Sequence, residues 1–214
     1  KGYPNPCDYA HVVTSTTHKV FRSARGGIIL TNHEDLAKKF NTAVFPGYQG
    51  GPLMHIIAAK AVGFLEALKP EFQDYIKTVL ANAKILSETL KNNGFKIYSG
   101  GTDTHLMLVD LRPFNVKGNL ASESLSRANI TCNKNGIPFD TESPMVTSGI
   151  RLGSQAATTR GFGLKEFEEV GNLITKTIKG LSMNPNDNSK VEEEVRNEVV
   201  SLCSSFPIYK NLYK

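Results

Sequence analysis

The sequence has few residues that could cross-link the chain or hold a metal ion. Cys7, Cys132 and Cys203 are odd in number and far apart, so neither a disulfide framework nor a thiolate zinc site is predicted. The five histidines lack the spacing of known metal motifs, which also predicts no metal site. The lack of a disulfide framework favours a reducing compartment, and we expect a cytoplasmic protein, with an organellar location left open because a targeting signal would lie upstream of residue 1.

Long hydrophobic runs are missing as well. The longest apolar stretch is interrupted by His55, Lys60 and Glu66, whereas a bilayer span needs about 20 apolar residues, so we expect no membrane segment. Apolar residues make up 40% of the chain, which is enough for a real core and excludes a disordered tail. The net charge of +5 is spread along the chain, which favours an enzyme with a few anion contacts over a nucleic-acid-binding protein.

The pattern of apolar residues predicts two domains. Residues 1–72 combine short β-branched runs at 11–14 and 27–31 with helical stretches, as at the end of an α/β domain. The region closes with a helix over residues 52–68 that is apolar on nearly all sides, so we expect it to be surrounded on most sides and to dock against a sheet or a partner subunit.

Residues 73–214 predict a smaller α+β domain with helices packed on a small sheet. Its first helix begins near the boundary at Pro70 and stops at Gly94. The predicted strands cover residues 95–98, 105–111, 129–132 and 149–153, and the later helices cover residues 120–128, 164–181 and 190–205. The acidic run 192–194 is predicted to be a solvated helix face.

A strand-like segment over residues 12–19 runs into hydroxyl groups and ends at His18 and Lys19. Burial and neighbouring cations can hold a lysine deprotonated, as a Schiff-base nucleophile requires. Taken alone, a lysine at the end of a strand is more often a surface charge, and the hydroxyl groups shift this balance only slightly.

Two glycine-containing segments are candidate anion sites. Arg25 precedes two glycines and could neutralise a phosphate or a carboxylate, or could lie in a simple turn. Gly50 and Gly51 precede Pro52 at the start of the apolar helix, where free backbone N–H groups can bind a phosphate. The Walker ending is absent, which disfavours nucleoside triphosphate hydrolysis, although a plain tight turn is nearly as good an interpretation.

Arg151 lies between Gly149 and Gly153 in a short apolar strand and is predicted to be buried. A buried arginine needs an anionic partner, because an unpaired interior charge is costly. A ligand carboxylate and an internal Asp or Glu would meet that need equally well.

Taken in order, these motifs resemble the serine hydroxymethyltransferases. That family has the aspartate-aminotransferase-like fold, fold type I of the pyridoxal-phosphate enzymes. The resemblance rests on residues 12–19, 25–27, 44–52, 105–111, 132–135 and 148–153, and it extends from residue 1 to about residue 205. It implies that residues 1–72 are the C-terminal part of the large cofactor-binding domain and that residues 73–214 are the small C-terminal domain.

The resemblance also implies roles for residues of the first region. Lys19 would hold pyridoxal 5'-phosphate covalently, with His18 beside it influencing specificity and Thr16 against the Schiff base. Arg25 would supply positive charge near the cofactor and the substrate. Gly50 and Gly51 would reach the cofactor phosphate of the neighbouring subunit, which implies a homodimer with a shared site.

In the second region the resemblance implies substrate contacts. Arg151 would bind the carboxylate of serine or glycine. Asn135, Ser143, Pro144 and Met145 would line the site of tetrahydrofolate, the cosubstrate that accepts the hydroxymethyl carbon and becomes 5,10-methylenetetrahydrofolate.

Parts of the family's site have no counterpart in the sequence, which opens at Lys1 without an initiator methionine or targeting pattern. The aspartate to the pyridine nitrogen, the ring-stacking histidine, and the glutamate and tyrosines of the substrate sites would all precede residue 1. We therefore expect the chain to be the later part of a longer enzyme.

Two other functions stay open at this point. One is a related pyridoxal-phosphate enzyme that does not use folate, such as a threonine aldolase, although Asn135 and residues 143–145 argue against it. The other is a basic fragment that binds RNA or a partner protein. That function needs clustered cations with aromatic platforms, and the sequence shows only isolated pairs such as Lys38 and Lys39.

Overall fold

The structure is a computed structural model and describes residues 4–209. The chain divides into two compact units between Gln73 and Asp74, within the first turn of a long helix. It is a mixed α/β protein with small sheets. That these units are the end of the family's large domain and its small C-terminal domain stays a prediction.

From residue 4 onward, the first unit contains one antiparallel hairpin and two regular α-helices. Strand β1 (Val13–Thr16) pairs with β2 (Gly27–Leu30), with Thr16 opposite Gly27. Helix α1 (Glu34–Thr42), which we had not predicted individually, leads through an irregular turn to helix α2 (Met54–Ala67).

Helix α2 is largely uncovered in this unit, so the expected docking against a partner subunit stays a prediction. Gly63 is its only buried residue, because the apolar side chains all round the helix have too little of this unit to pack against. Large apolar side chains along it, including Met54, Ile57, Val62 and Leu65, are exposed. The first unit therefore presents an uncovered apolar helix surface.

The second unit begins with helix α3 (Pro70–Asn92), which ends as predicted at a glycine. Gly94 has φ of +97°, and its N–H donates to Lys91 O while the Phe95 N–H donates to Leu90 O. This is the Schellman arrangement, in which a left-handed glycine satisfies the last carbonyls of the helix. Leu90 and Phe95 are both buried and secure the turn that leads into the sheet.

The sheet of the second unit has four antiparallel strands in the order β3-β4-β6-β5. They are β3 (Lys96–Ile97), β4 (Leu106–Asp110), β5 (Asn133–Asn135) and β6 (Gly149–Gly153). Side chains alternate between faces, so Met107, Val109, Ile150 and Leu152 are buried in the core. The opposite face carries Leu106, Leu108, Asn133, Asn135 and Arg151, and we call it the open face.

Up to residue 209, the unit contains four further α-helices: α4 (Gly118–Arg127), α5 (Gln155–Arg160), α6 (Leu164–Met183) and α7 (Ser189–Ser204). Leu86 of α3, Leu125 of α4 and Ile174 of α6 share one core cluster with the buried face of the sheet. One face of the sheet is therefore covered by helices, and the other remains available for a site.

The predicted strand over residues 129–132 is wrong. Asn129 adopts a left-handed conformation with φ of +62°, and the Ile130 N–H donates to Leu125 O at 2.8 Å, which closes the end of α4. These residues are used by the helix cap, so the strand β5 starts only at Asn133.

The acidic run of α7 is also not simply a solvated face. Glu192 is only 3% exposed, and its carboxylate accepts hydrogen bonds from Ser124 Oγ and from Nε and Nη2 of Arg127. Hydrogen bonding from Arg127 lowers the pKa of Glu192 despite its burial. The pair joins α7 to α4 inside the second unit.

Candidate active site

Three of the candidate cofactor residues, His18, Lys19 and Arg25, lie on the loop of the β1–β2 hairpin, over residues 17–26. Thr17 anchors this loop, because its fully buried hydroxyl donates to Ala24 O at 2.6 Å. The Thr17 N–H also donates to Gly26 O, and the Ser23 N–H donates to Thr17 O. The loop that carries His18, Lys19 and Arg25 is thus closed on itself by hydrogen bonds.

Two N–H groups from the far side of this loop point toward the two nitrogens of the His18 imidazole. Nη1 of Arg25 lies 3.2 Å from its Nε2, and the Gly26 N–H lies 3.4 Å from its Nδ1. A neutral imidazole can accept at only one nitrogen, and a protonated one at neither. The arrangement therefore suits a neutral His18 ring that accepts from Arg25, its shorter and charged contact.

Lys19 lies next to this pair and is exposed, so the described residues do not supply the burial that a nucleophilic lysine would need. Its side chain has no hydrogen bond or ion pair with the described residues of its unit. Its carbonyl accepts from the Arg22 N–H, and Arg22 has a left-handed φ of +54°. Thr16 is partly exposed at the end of β1, opposite Gly27.

Helix α2 supports the loop through two close approaches. A Cβ on Gly63 would lie 2.3 Å from Ser23 Oγ, so only glycine lets the helix come this near. A Cβ on Gly26 would lie 2.5 Å from Cε of Lys60, whose ammonium group donates to Gly27 O at 3.2 Å. Phe21 and Phe64 add an edge-to-face aromatic contact.

The predicted phosphate glycines have a different environment. Gly50 and Gly51 are exposed, and a Cβ on either would meet no atom within 4 Å. Helix α2 starts at Met54 with Leu53 as N-cap, so Pro52 precedes the helix and does not occupy its first turn. Packing within this unit does not explain the glycines, which is consistent with close approach by a group from outside.

An open groove of about 1280 Å³ lies beside the hairpin in the first unit. Arg25 and Lys60 are on its wall together with apolar side chains such as Ile29, Phe45 and Ile57. Both cations of the groove are thus next to the loop that carries His18 and Lys19.

The second unit carries the predicted substrate residues on the open face of its sheet. Arg151 lies opposite Leu108 in β4 and Asn133 in β5. The prediction that Arg151 is buried is wrong: the side chain is exposed, because it alternates with the buried Ile150 and Leu152. No carboxylate among the described residues of the second unit pairs with it.

Three of the four predicted folate residues come together. Asn135, Ser143 and Pro144 line a cavity of about 350 Å³ at the edge of the sheet, together with Lys134, Gly136, Asp140, Glu142 and Thr147. Met145 does not line this cavity; its side chain is 73% exposed, while its carbonyl accepts from Nζ of Lys134 at 2.6 Å.

Asp140 holds the loop that forms this cavity. Its carboxylate accepts from the N–H groups of Ile137, Glu142 and Ser148 and from the Ser148 hydroxyl. Burial raises the pKa of Asp140, but the hydrogen bonds from Ser148 and from two further backbone N–H groups outweigh it and hold that pKa well below its usual range.

Comparison with known proteins identifies the family. The family model described as serine hydroxymethyltransferase matches residues 1–174. The chain belongs to the serine hydroxymethyltransferase family. The cofactor lysine and the carboxylate arginine expected from this family, Lys19 and Arg151, both fall inside the matched region.

Curated members of the serine hydroxymethyltransferase family are similar over nearly the whole chain. A serine hydroxymethyltransferase of Pelagibacter ubique is 87% identical over 212 residues, which are 99% of this chain and 49% of the relative. One from Marinomonas sp. is 64% identical over 97% of this chain and 49% of its own length. One from Jannaschia sp. is 61% identical over 98% and 48%. The chain spans about half the length of the curated relatives it matches.

Sequence reasoning missed three residues that support the candidate site. Thr17 closes the hairpin loop, Lys60 contacts it from α2, and Asp140 organises the cavity loop. A Thr in a hydroxyl run and a lysine in an apolar helix carry no distinctive signal. Asp140 follows Pro138 and precedes Thr141 and Glu142 in a turn-like segment, where an Asp commonly accepts nearby backbone N–H groups.

Two classes of site are not found among residues 4–209. None of the helices there is long and apolar enough to cross a membrane. In the same residues, no group of three His, Cys, Asp or Glu side chains is arranged to hold a metal ion.

Proposed function

We propose that the protein containing this chain is a pyridoxal-phosphate-dependent serine hydroxymethyltransferase. It transfers the hydroxymethyl carbon of serine to tetrahydrofolate and gives glycine, 5,10-methylenetetrahydrofolate and water. The observation that carries this proposal is the family match over residues 1–174 together with 87% identity to a serine hydroxymethyltransferase.

The residues of the first unit fit the cofactor. Lys19 offers an exposed amine that no described side chain of its unit engages, and it would bind the aldehyde carbon covalently. Gly50 and Gly51 leave space for a phosphate that arrives from a neighbouring subunit. Bound pyridoxal phosphate supplies an electron sink for the electrons of the breaking Cα–Cβ bond of serine.

His18 and Arg25 set the electrostatics beside Lys19. Arg25 keeps a permanent positive charge at the His18 ring, with its Nη1 3.2 Å from Nε2. The charge of this guanidinium favours anionic groups of the cofactor and substrate. Thr16 adds a hydroxyl at the start of the same loop.

Arg151 binds the carboxylate of the amino acid in this proposal. It is exposed, has a planar fork of donors, and lacks a carboxylate partner among the described residues of its unit. The sequence left open whether the partner of Arg151 is a ligand carboxylate or an internal Asp or Glu. No such internal partner occurs among the described residues of the second unit, which supports a ligand carboxylate.

Asn135, Ser143, Pro144 and Met145 contact tetrahydrofolate in this proposal. The first three line one cavity, and Asn135 shares the open face with Arg151. A folate site on the same face as the carboxylate site allows the hydroxymethyl carbon to pass from one substrate to the other.

Assembly and location form part of the same proposal. A homodimer with a site shared between subunits would give Gly50 and Gly51 their phosphate and would cover apolar surface of α2. The described cysteines are free, and burial raises the pKa of the Cys132 thiol to about 11, which makes it unreactive. Free thiols suit the cytoplasm.

The experiment is a substrate comparison with the full-length enzyme loaded with pyridoxal phosphate. Glycine formation from serine is measured with and without tetrahydrofolate, and threonine is tested as a substrate without folate. We expect serine cleavage to depend on tetrahydrofolate and to be faster than threonine cleavage. Faster folate-independent threonine cleavage would instead support an aldolase.

A further inference from the structure

We propose that Lys60 of α2 is a positioning residue that fixes the cofactor loop through Gly26 and Gly27. This inference rests on the proposed function, since it concerns the same loop. It gives a role to a lysine that interrupts the most apolar helix of the chain and that none of the family motifs above includes.

The contact between Lys60 and the loop is close and specific. Nζ of Lys60 donates to the carbonyl of Gly27 at 3.2 Å, and its Cε passes over Gly26 at the place where a Cβ would stand. Lys60 is half-buried and has no ion pair with a described carboxylate of its unit. The ammonium group of Lys60 therefore donates to the backbone of the loop.

The contacted backbone leads directly to the candidate chemistry. The Gly26 N–H lies 3.4 Å from Nδ1 of His18, and the Gly26 carbonyl accepts from the Thr17 N–H. Arg25, the residue before Gly26, reaches the other ring nitrogen of His18. A shift of the Gly26–Gly27 backbone would move both N–H groups that face the His18 ring and the start of the loop that carries Lys19.

Lys60 also ties two predicted cofactor elements together. Helix α2 follows Gly50 and Gly51, the predicted phosphate residues, while the hairpin loop holds Lys19. The hydrogen bond from Lys60 to Gly27 O is a polar link between these elements, beside the hydrogen bond from Ser23 Oγ to Ala59 O. It sets the distance between helix and loop at the end nearest to Arg25.

The first test replaces Lys60 with Met in the full-length holoenzyme, which keeps the aliphatic stem and removes the ammonium. Lys39→Met is the matched control, because Lys39 is an exposed lysine of α1 whose side chain has no hydrogen bond or ion pair among the described residues. We measure amide hydrogen exchange in peptides that cover residues 17–27. We also measure kcat and the KM for serine.

We expect Lys60→Met to speed exchange in residues 17–27 and to lower kcat by about 10- to 100-fold, since small misplacements of reacting groups have large rate effects. The KM for serine should change by less than about 3-fold, because the carboxylate residue Arg151 belongs to the other unit. Lys39→Met should match wild type. Wild-type exchange and kcat in Lys60→Met would overturn the proposal.

A second measurement covers the case in which Lys60→Met folds poorly. In a cycle of Gly26→Ala, Lys60→Ala and the double variant, the added methyl group clashes with Lys60 only when that lysine is present. We expect Gly26→Ala to lower kcat in the wild-type background and to have less effect in Lys60→Ala. Additive effects would contradict action through Gly26. If the wild-type enzyme lacked the proposed activity, the exchange data would still test the role of Lys60.

Discussion

Arg151 of β6 lies directly opposite Asn133 of β5, so the side chains of these two residues project from the same face of the sheet. Asn135, two residues further along β5, shares that face, and such diagonal neighbours are separated by roughly 7–8 Å. One short strand pair thus presents the predicted carboxylate residue and a predicted folate residue side by side. A ligand pair can bridge that distance.

Replacing Arg151 with Lys tests the carboxylate role. A lysine keeps the charge but loses the planar pair of donors, so we expect serine binding to weaken by about 1.5–3 kcal/mol, roughly 10- to 150-fold. The measurement is the serine dissociation constant of the full-length holoenzyme. Arg196→Lys is the control, because Arg196 donates to Arg127 O elsewhere in the unit. Unchanged serine affinity in Arg151→Lys would refute the assignment.

Asp140 is predicted to act on folate and not on the amino acid. Asp140→Asn replaces an acceptor of four hydrogen bonds with a group that cannot accept them all, so the cavity loop should loosen. We expect the KM for tetrahydrofolate to rise about 10-fold and the KM for serine to stay within about 2-fold. Steady-state kinetics with each substrate varied gives both values.

The matched control for Asp140 is Asp74→Asn, because Asp74 only forms an exposed ion pair with Lys77. That variant should behave like wild type toward both substrates. Equal increases in the two KM values for Asp140→Asn would indicate general loosening of the unit and would contradict a specific effect on the folate loop.

Gly50 and Gly51 should matter for the cofactor and not for folding. Because a Cβ meets nothing within 4 Å at either position, Gly50→Ala and Gly51→Ala should leave the Tm within about 1 °C. The added methyl group should still weaken pyridoxal phosphate binding by about 10-fold or more, since it would stand where a phosphate approaches. Cofactor titration and thermal melts without cofactor separate the two effects.

Gly63→Ala is the opposite control, because its Cβ would lie 2.3 Å from Ser23 Oγ. It should lower the Tm measurably, by the kind of overpacking that costs about 1–3 kcal/mol. If Gly50→Ala and Gly51→Ala bound the cofactor as tightly as wild type, these glycines would not be phosphate residues.

Stability should depend on Glu192 in a pH-dependent way. Its folded pKa lies below the ordinary value of 4.5 because of Arg127, so the pair contributes fully above that pH and loses its contribution as the pH falls toward the folded pKa. Glu192→Gln should cost about 2 kcal/mol at pH 7, less than a fully buried pair, because the side chain of Arg127 is half exposed.

Thermal melts between pH 7 and pH 3 give this dependence. The difference between wild type and Glu192→Gln should shrink at the acidic end, while Glu193→Gln, an exposed neighbour, should follow wild type throughout. A difference that stays constant over the whole range would mean that the ionised carboxylate is not what stabilises the α4–α7 contact.

The parts of the fold that the sequence predicts correctly depend on interactions between residues close together in the chain. Helix α3 follows its apolar repeat and ends at Gly94, and β4 and β6 follow their apolar runs. The strand predicted over residues 129–132 failed because Asn129 is needed in the cap of α4, a use of the chain that apolar patterning does not encode. The prediction that Glu192 lies on a solvated helix face was wrong for a similar reason, since its partner Arg127 is distant in sequence.

Sequence motifs predicted the candidate site residues, but they did not predict the residues that hold those candidates in place. Lys19, His18 and Arg25 could be named from a run of residues, and they do share one hairpin loop. The exposure of Arg151 depends on which face of β6 the helices cover, and the contacts of Lys60 and Asp140 depend on how separate segments meet. Such relationships arise only in the folded chain.

The covalent attachment of the cofactor tests the central claim most directly. The full-length enzyme is loaded with pyridoxal phosphate, reduced with borohydride and mapped by peptide mass spectrometry, alongside Lys19→Ala. We expect the label on Lys19, and we expect the variant to lose both the label and the cofactor absorbance with nearly all turnover. A label on another lysine, or full turnover in Lys19→Ala, would contradict the account.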